Sequence, residues 1–317
     1  AGRRRFTQRD VINQIELLCI GGVSADIILG VPGIPATGEK LLARFISQQP
    51  GGIVSNTACA AARLGLRSAW AGTIGGDESG RLILDGFEDF GVDTSLVSIE
   101  GEMATDFTVI LLDPSGERTI LVVPTTPSPP KLNDDVYQAC QICKVVYLPP
   151  YPPIWFKRTA DPVHTGGGLV AVDVESSSPV KGVDLVQVME NTDLVFCNPR
   201  GLEHITGLTD PDKGSWEVLK LGPVCVCVTL GENGAIAFTR NERVYQPGFD
   251  VPVIDTTGAG DCFHAAFINE YLAGRPLEEI LRFANAAAAL SIQHIGPRTG
   301  LPTRGEVLTF LRESDSD

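Results

Sequence analysis

The chain has 317 residues, 43% hydrophobic and 20% charged, with a mean hydropathy of +0.10, a composition that suits a soluble globular protein with a sizeable core. A formal net charge of −14 and a pI near 4.7 exclude a nucleic-acid-binding role, which depends on clustered cations. No apolar stretch reaches membrane-spanning length and no secretory pattern opens the chain, so no membrane association is expected.

Residues 1–13, with Arg3-Arg4-Arg5, read as a flexible amino-terminal arm preceding one domain over 14–317. Leu17–Ile20 is a strand running into Gly21-Gly22. Ser55 to Leu64 is Ala-rich with helical spacing and stops at Gly65. Ser68–Ala71 reads as a strand, and Glu78–Phe90 as an amphipathic helix ending at Gly91. Phe107–Leu112 and Arg118–Val123 flank Asp113-Pro114-Ser115-Gly116, a turn sequence, and form a hairpin. Strands then alternate with helices: Val145–Leu148, Leu169–Val174, Leu194–Cys197 and Val224–Thr229. A further β pair, Ala235–Thr239 and Arg243–Tyr245, precedes helices at Ala259–Ala273, Leu277–His294 and Arg304–Arg312. This alternation predicts a three-layer α/β/α body with a mostly parallel sheet. The β-rich segments, approximately 27–50 and 104–123, are expected to form a small β lid over it.

The eight cysteines are scattered, several inside apolar strand runs, where a free thiol packs as a small hydrophobe. Cys140-Gln-Ile-Cys143 lacks the second pair that a zinc site needs. Unpaired thiols indicate a reducing compartment, the cytoplasm.

The most informative stretch is Asp255-Thr256-Thr257-Gly258-Ala259-Gly260-Asp261 at the start of a long helix. With minimal side chains, Gly258, Ala259 and Gly260 let backbone N–H groups approach an anion, and the helix dipole favours negative charge there. Asp261 beside such a site either caps the helix or takes the proton of a hydroxyl attacking a bound phosphoryl group. In the second stretch, Gly51-Gly52-Ile53-Val54-Ser55-Asn56, paired glycines again open a helix and Asn56 sits in its first turn. That is either a glycine turn with a cap, or a backbone surface on which a polyhydroxylated ligand lies, with Asn56 donating and accepting.

Together, in this order, the two stretches resemble the ribokinase-like (PfkB) family of carbohydrate kinases, and the likeness runs from about Leu17 to Leu311. Supporting segments are Gly75-Gly76-Asp77-Glu78-Ser79-Gly80, Thr229-Leu230-Gly231-Glu232-Asn233-Gly234 and Phe283-Ala284-Asn285-Ala286. The resemblance implies an enzyme that moves the γ-phosphate of ATP, with Mg²⁺, to a hydroxyl of a sugar. A ketohexose or modified sugar is the first expectation for the acceptor and a nucleoside the second; a catalytically weak, regulatory sugar-binding protein is the non-enzyme alternative. It implies that Asp261 is the general base, that Gly258–Gly260 form the anion hole, and that Asp26, Gly51, Gly52 and Asn56 hold acceptor hydroxyls. Asn198, Thr229, Gly231, Gly234 and Asn285 would face the nucleotide, and Asp255 and Thr257 would bind the monovalent cation, K⁺, that some members use. Lids in this family often pair between subunits, which implies a homodimer.

One departure bears on metal placement. The family's Asn-x-x-Glu element reads Asn198-Pro199-Arg200-Gly201 here, with Glu203 two residues later, on a different helical face. The Mg²⁺ ligand therefore stays open. Three smaller features complete the reading. His264, one turn after Asp261, either lines the sugar pocket or is a satisfied helix histidine. Lys40 resembles a lid lysine of sulfofructose kinases; it either meets an anionic group on the acceptor or is simply solvated. Pro149-Pro150-Tyr151-Pro152-Pro153 follows a strand end and predicts a rigid bend beside the substrate cleft.

Overall fold

A computed structural model describes residues 14–114 and 117–315; the proposed arm over 1–13 and the Ser115-Gly116 tip of the predicted hairpin turn lie outside the described residues. The chain begins with Leu17–Ile20 (β1), whose four residues are all buried. Ser24–Gly30 (β2) and Arg44–Gly51 (β3) follow, then a helix over Ile53–Arg63 (α1). Ser68–Ala71 (β4) and Thr73–Gly75 (β5) lead to the helix Glu78–Phe90 (α2), which Gly91 ends in the left-handed conformation, φ 73°. Ser98–Glu100 (β6) precedes the hairpin strands Phe107–Leu112 (β7) and Arg118–Val123 (β8).

Alternation then sets in: Asp134–Ile142 (α3), Val145–Leu148 (β9), Pro153–Thr165 (α4), Leu169–Val174 (β10), Gly182–Met189 (α5) and Leu194–Cys197 (β11). Pro199–Thr206 (α6) and Pro211–Leu221 (α7) come before Cys225–Thr229 (β12), Ala235–Thr239 (β13) and Arg243–Gln246 (β14). Three helices end the chain: Ala259–Leu272 (α8), Leu277–Ser291 (α9) and Arg304–Ser314 (α10).

The main sheet has eight strands in the order β14-β13-β12-β11-β10-β9-β1-β4. Every pair from β4 through β12 is parallel, and β12-β13 and β13-β14 are antiparallel. Parallel strands joined by crossover helices are covered on both faces, which is why β1, β4, β9 and β11 are buried along their whole length. Their alternate residues divide between two cores. Leu17, Cys19, Tyr147 and Phe196 pack with residues of α1, α2, α8 and α9 on one side. Leu18, Ile20, Val146 and Val195 pack with α3, α4, α5 and α7 on the other. All eight cysteines are buried and free of disulfides, which agrees with their reading as small hydrophobes. Among the described residues, no helix is long and apolar enough to cross a membrane.

A second, four-stranded sheet has the order β3-β2-β7-β8, with β2-β3 and β7-β8 antiparallel and β2-β7 parallel. One difference from the sequence expectation matters for the site. The chain leaves β1, turns at Gly21-Gly22 and re-enters extended structure at Ser24, so Asp26 belongs to the small sheet. The β3 strand delivers Gly51 and Gly52 directly to the start of α1, where Gly52 has φ 99°.

Candidate active site

The first turn of α8 carries the chemistry. Gly258 is its cap, at φ 78°, and a Cβ there would meet Pro297 at 2.9 Å, so both the backbone conformation and the packing require glycine. The Ala259 N–H is spent on the Thr256 carbonyl. The N–H groups of Gly260 and Asp261, which follow in the same turn, lack intrahelical acceptors by the geometry of a helix start and carry the positive end of its dipole.

Asp261 is 8% exposed, and its Oδ2 accepts a 2.9 Å bond from Asn56 Nδ2. Burial pushes its carboxyl up to about 7; the Asn56 bond and the Arg298 charge resist that rise and Glu175 adds to it. A carboxylate poised near neutrality suits proton abstraction at physiological pH.

Two cavities are formed by residues in and around this part of the fold. One, of about 400 Å³, is walled by Ile53 and Val54 of α1, Tyr147, Pro149–Pro152, Asp173 and Glu175; the proline-rich bend after β9 therefore stands in its wall. The other, of about 740 Å³, is lined by Thr229, Gly231, Gly234, Ala259, Gly260, Phe263 and Asn285. Asp261 adjoins the larger cavity through Gly260, its neighbour in sequence, and is tied through Asn56 to α1, two of whose residues wall the smaller one.

On β2, Asp26 accepts a 2.7 Å bond from Ser24 Oγ. Burial raises its carboxyl above the usual range, against the opposing pull of Ser24, Thr108 and Arg298. Gly51 lies against it so closely that a Cβ would fall 2.0 Å from Asp26 Oδ2. At the larger cavity, Asn285 Nδ2 donates to the carbonyls of Gln246 and Pro247, at 3.1 and 3.0 Å, and so ties that stretch of chain to α9. Asn198 caps α6, its Oδ1 accepting from the Gly201 N–H at 2.9 Å, and borders a shallow depression with Thr229 and Gly231.

Asp255 is saturated with donors: Thr257 N and Oγ1 at 2.9 and 2.7 Å, Gly296 N at 2.9 Å, and the Arg118 guanidinium at 3.5 Å. Burial alone would raise its carboxyl, but these donors together hold it below the usual range. Arg118, from β8, also donates to Thr257 Oγ1.

Two candidates lie away from the cavities. His264 is 4% exposed, packed 4.5 Å from the Phe196 ring and joined to Tyr147 Oη by a 3.0 Å bond. Burial lowers it to about 3, so it is a neutral core histidine that meets the smaller cavity only through Tyr147. Lys40 is exposed in the connection between β2 and β3, outside the residues that line either cavity.

Gly201 has a physical explanation. A Cβ there would sit 2.0 Å from the Val174 carbonyl oxygen and 3.1 Å from Cys197 Cβ, so α6 packs on β10 too tightly for a glutamate. Glu203 is exposed on another face of α6.

Sequence reading missed Arg298. It is 8% exposed and donates from Nε to Asn56 Oδ1 and from Nη2 to Ser55 Oγ, both at 2.9 Å. Its one sequence signal was a cation inside the glycine-flanked loop Gly296-Pro297-Arg298-Thr299-Gly300.

This arrangement, a buried carboxylate in the first turn of a helix whose free N–H groups face an adjoining cavity, suits phosphoryl transfer, with little covalent work for the protein beyond positioning and charge stabilisation. A model of the family described as pfkB family carbohydrate kinase matches residues 14–304. Ribokinase of Bacillus subtilis is 30% identical over 306 residues, which span 93% of this chain and 99% of that protein. An ATP-dependent ribose-1-phosphate kinase of Halopiger xanaduensis is 28% identical over 302 residues, 94% of this chain and 99% of that one. The structure of Arabidopsis thaliana ribokinase complexed with ribose and ATP superposes with a TM-score of 0.86 at 29% identity, covering 94% of this chain and 99% of that chain. The chain belongs to the pfkB family of carbohydrate kinases and is an ATP-dependent phosphotransferase.

Proposed function

We propose that this kinase transfers the γ-phosphate of ATP to a hydroxyl of a ketohexose or a related sugar, with Asp261 as general base. The observation that carries the reading is the buried Asp261 carboxylate, fixed by Asn56 in the first turn of α8, where Gly260 lines the larger cavity. The acceptor lies over Gly51 and Gly52, with Asp26 and Asn56 bonded to its hydroxyls and the reacting hydroxyl toward Asp261. Asp261 takes its proton as the oxygen attacks phosphorus, and the Gly260 and Asp261 N–H groups stabilise the equatorial oxygens of the phosphoryl group in flight. ATP occupies the larger cavity, its phosphates toward Thr229, Gly231 and Gly234. The ribose in the Arabidopsis complex makes a pentose the next acceptor to examine.

Mg²⁺ fits this site in one way. Among the described residues no three His, Cys, Asp or Glu side chains form a metal-holding group, and Gly201 leaves no room for the family's glutamate. An ion carried on the ATP phosphates with most of its waters would need no such set, and would supply charge neutralisation there.

A monovalent cation near Asp255 and Thr257 would compete with the guanidinium of Arg118. That ion pair is partly exposed and worth at most about 1 kcal/mol, so Arg118 is expected to weaken cation binding there by no more than about fivefold. Arg118→Ala is expected to increase the K⁺ response. Strong K⁺ activation of the wild type, unchanged in Arg118→Ala, would count against this account.

A second reading, nucleoside phosphorylation, is favoured by the apolar walls at Ile53, Tyr151 and Pro149–Pro150, which suit a flat base. A coupled ADP-release assay with Mg-ATP across ketoses, aldoses, ribose, ribose 1-phosphate and nucleosides separates the two. Saturable turnover on a free sugar supports the first reading, and turnover on nucleosides alone supports the second. Exposed Phe45, Ile120 and Val122 on the small sheet suit a homodimer through this lid, which sedimentation equilibrium would detect.

A further inference from the structure

We infer that Arg298 is a positioning residue for the phosphoryl transfer: it locks the Asn56 side-chain amide in the one orientation that presents an N–H to Asp261, and it holds a positive charge behind the carboxylates of the acceptor side. The inference rests on the reading of Asp261 as general base.

The hydrogen-bond inventory leaves a single solution. Arginine only donates, and an ionised carboxylate only accepts. Asn56 lies between one of each, with Arg298 Nε on its Oδ1 and Asp261 Oδ2 on its Nδ2, both at 2.9 Å. A flipped amide would place oxygen against the carboxylate and NH₂ against the guanidinium, and both bonds would be lost. Ser55 repeats the logic. Its hydroxyl proton points at the Gly51 and Gly52 carbonyls, at 2.6 and 2.8 Å, so its lone pairs face Arg298 Nη2. One guanidinium thereby fixes both the partner of the proposed base and the glycine pair beneath the acceptor.

The placement is costly. Among the described residues, Arg298 Nη1 is buried without a hydrogen-bond partner, against Gly86 and near Pro50, and the guanidinium lies 5.5 Å from the centre of the Phe87 ring. An unpaired buried donor on a cation lowers stability, which points to a role other than holding the fold. The groups in electrostatic reach of Asp261 come from every side: Glu175 beyond β10, Asp173 on β10, Tyr147 on β9, Cys262 on α8 and Arg298 in the loop after α9. Arg298 is the cation of that set, and it also attracts Asp26.

The test compares Arg298→Met and Arg298→Lys with the wild type on the best acceptor from the panel. Arg298→Met is expected to lower kcat by about 10–100-fold and to move the acidic limb of the kcat/KM profile upward by about one pH unit. Arg298→Lys keeps the charge, so its limb should stay near that of the wild type while kcat falls less. A reading independent of turnover is the difference in melting temperature between Asp261 and Asp261→Asn proteins as a function of pH. In the Arg298→Met background that difference should level off at higher pH and at a larger value, since the carboxyl is then harder to ionise. If both the acidic limb and this melting difference are the same with and without Arg298, the inference is wrong. If the wild type turns over no acceptor, or Asp261→Asn retains activity, it is the base assignment that fails, and the melting series still reports on Arg298.

Discussion

Asp261→Asn is expected to lower kcat by about 10²–10⁴-fold, the range for loss of a general base, and at the same time to make the protein more stable at pH 8. The two effects share one cause. Burial raises the Asp261 carboxyl from 3.8 to about 7, against the Asn56 bond and the Arg298 charge, with Glu175 adding to the rise. Because the folded value lies above the unfolded one, the group's contribution to stability is fully present below pH 4 and is lost as pH rises through 7. An asparagine keeps the acceptor oxygen for Asn56 and never has to ionise inside the protein. At pH 8 it therefore removes a cost on the order of 2–4 kcal/mol, which thermal melts between pH 4.5 and 8.5 would register as a gain of several degrees, fading toward the acidic end. In the wild type, kcat/KM should be half-maximal near pH 7 and approach its plateau about one unit higher. Turnover within tenfold of wild type would remove Asp261 from the mechanism, and a melting difference that does not vary with pH would contradict the buried, raised carboxyl.

The strands of the main sheet were legible because parallel strands buried on both faces become short, almost continuous apolar runs, as in Leu17–Ile20 and Leu194–Cys197. Gly258–Asp261 was legible for another reason: an anion site at a helix start is local, and its parts are adjacent in sequence. What the sequence could not convey was long-range. The Asn56–Asp261 bond joins residues 205 positions apart, and Arg298–Asn56 spans 242. His264 was ambiguous because α8 has no polar stripe: Asp261 through Glu270 are all buried, so helical spacing does not reveal which way each side chain points. Gly201 stood out as a departure from the family pattern, but its reason, contact with the Val174 carbonyl, exists only once β10 and α6 are packed.

The second large effect is expected where the small sheet meets α1. Gly51→Ala should lower kcat/KM by roughly 10²-fold, as a displacement of about 1 Å in a positioning group does, and should leave the fold intact. The added methyl would fall 2.0 Å from Asp26 Oδ2 and 2.5 Å from its Cγ, so the carboxylate has to turn away from the Ser24 hydroxyl and from the acceptor. Gly51 is not among the glycines at positive φ, so alanine introduces no backbone strain, and the atom it strikes is the end of a half-buried side chain free to move. Asp26→Ala should cost a similar factor by removing a charged hydrogen-bond acceptor, worth about 1.5–3 kcal/mol. The two losses should not add. Removing the carboxylate removes the three atoms nearest the extra methyl, so the double variant should resemble Asp26→Ala alone, a coupling of about 2–3 kcal/mol between neighbouring sites. Multiplicative losses, near 10⁴-fold in the double variant, would mean that Gly51 acts on the acceptor through its own backbone rather than by leaving space for Asp26. A Gly51→Ala protein with normal kcat/KM would show that the Asp26 carboxylate does not hold the acceptor at all.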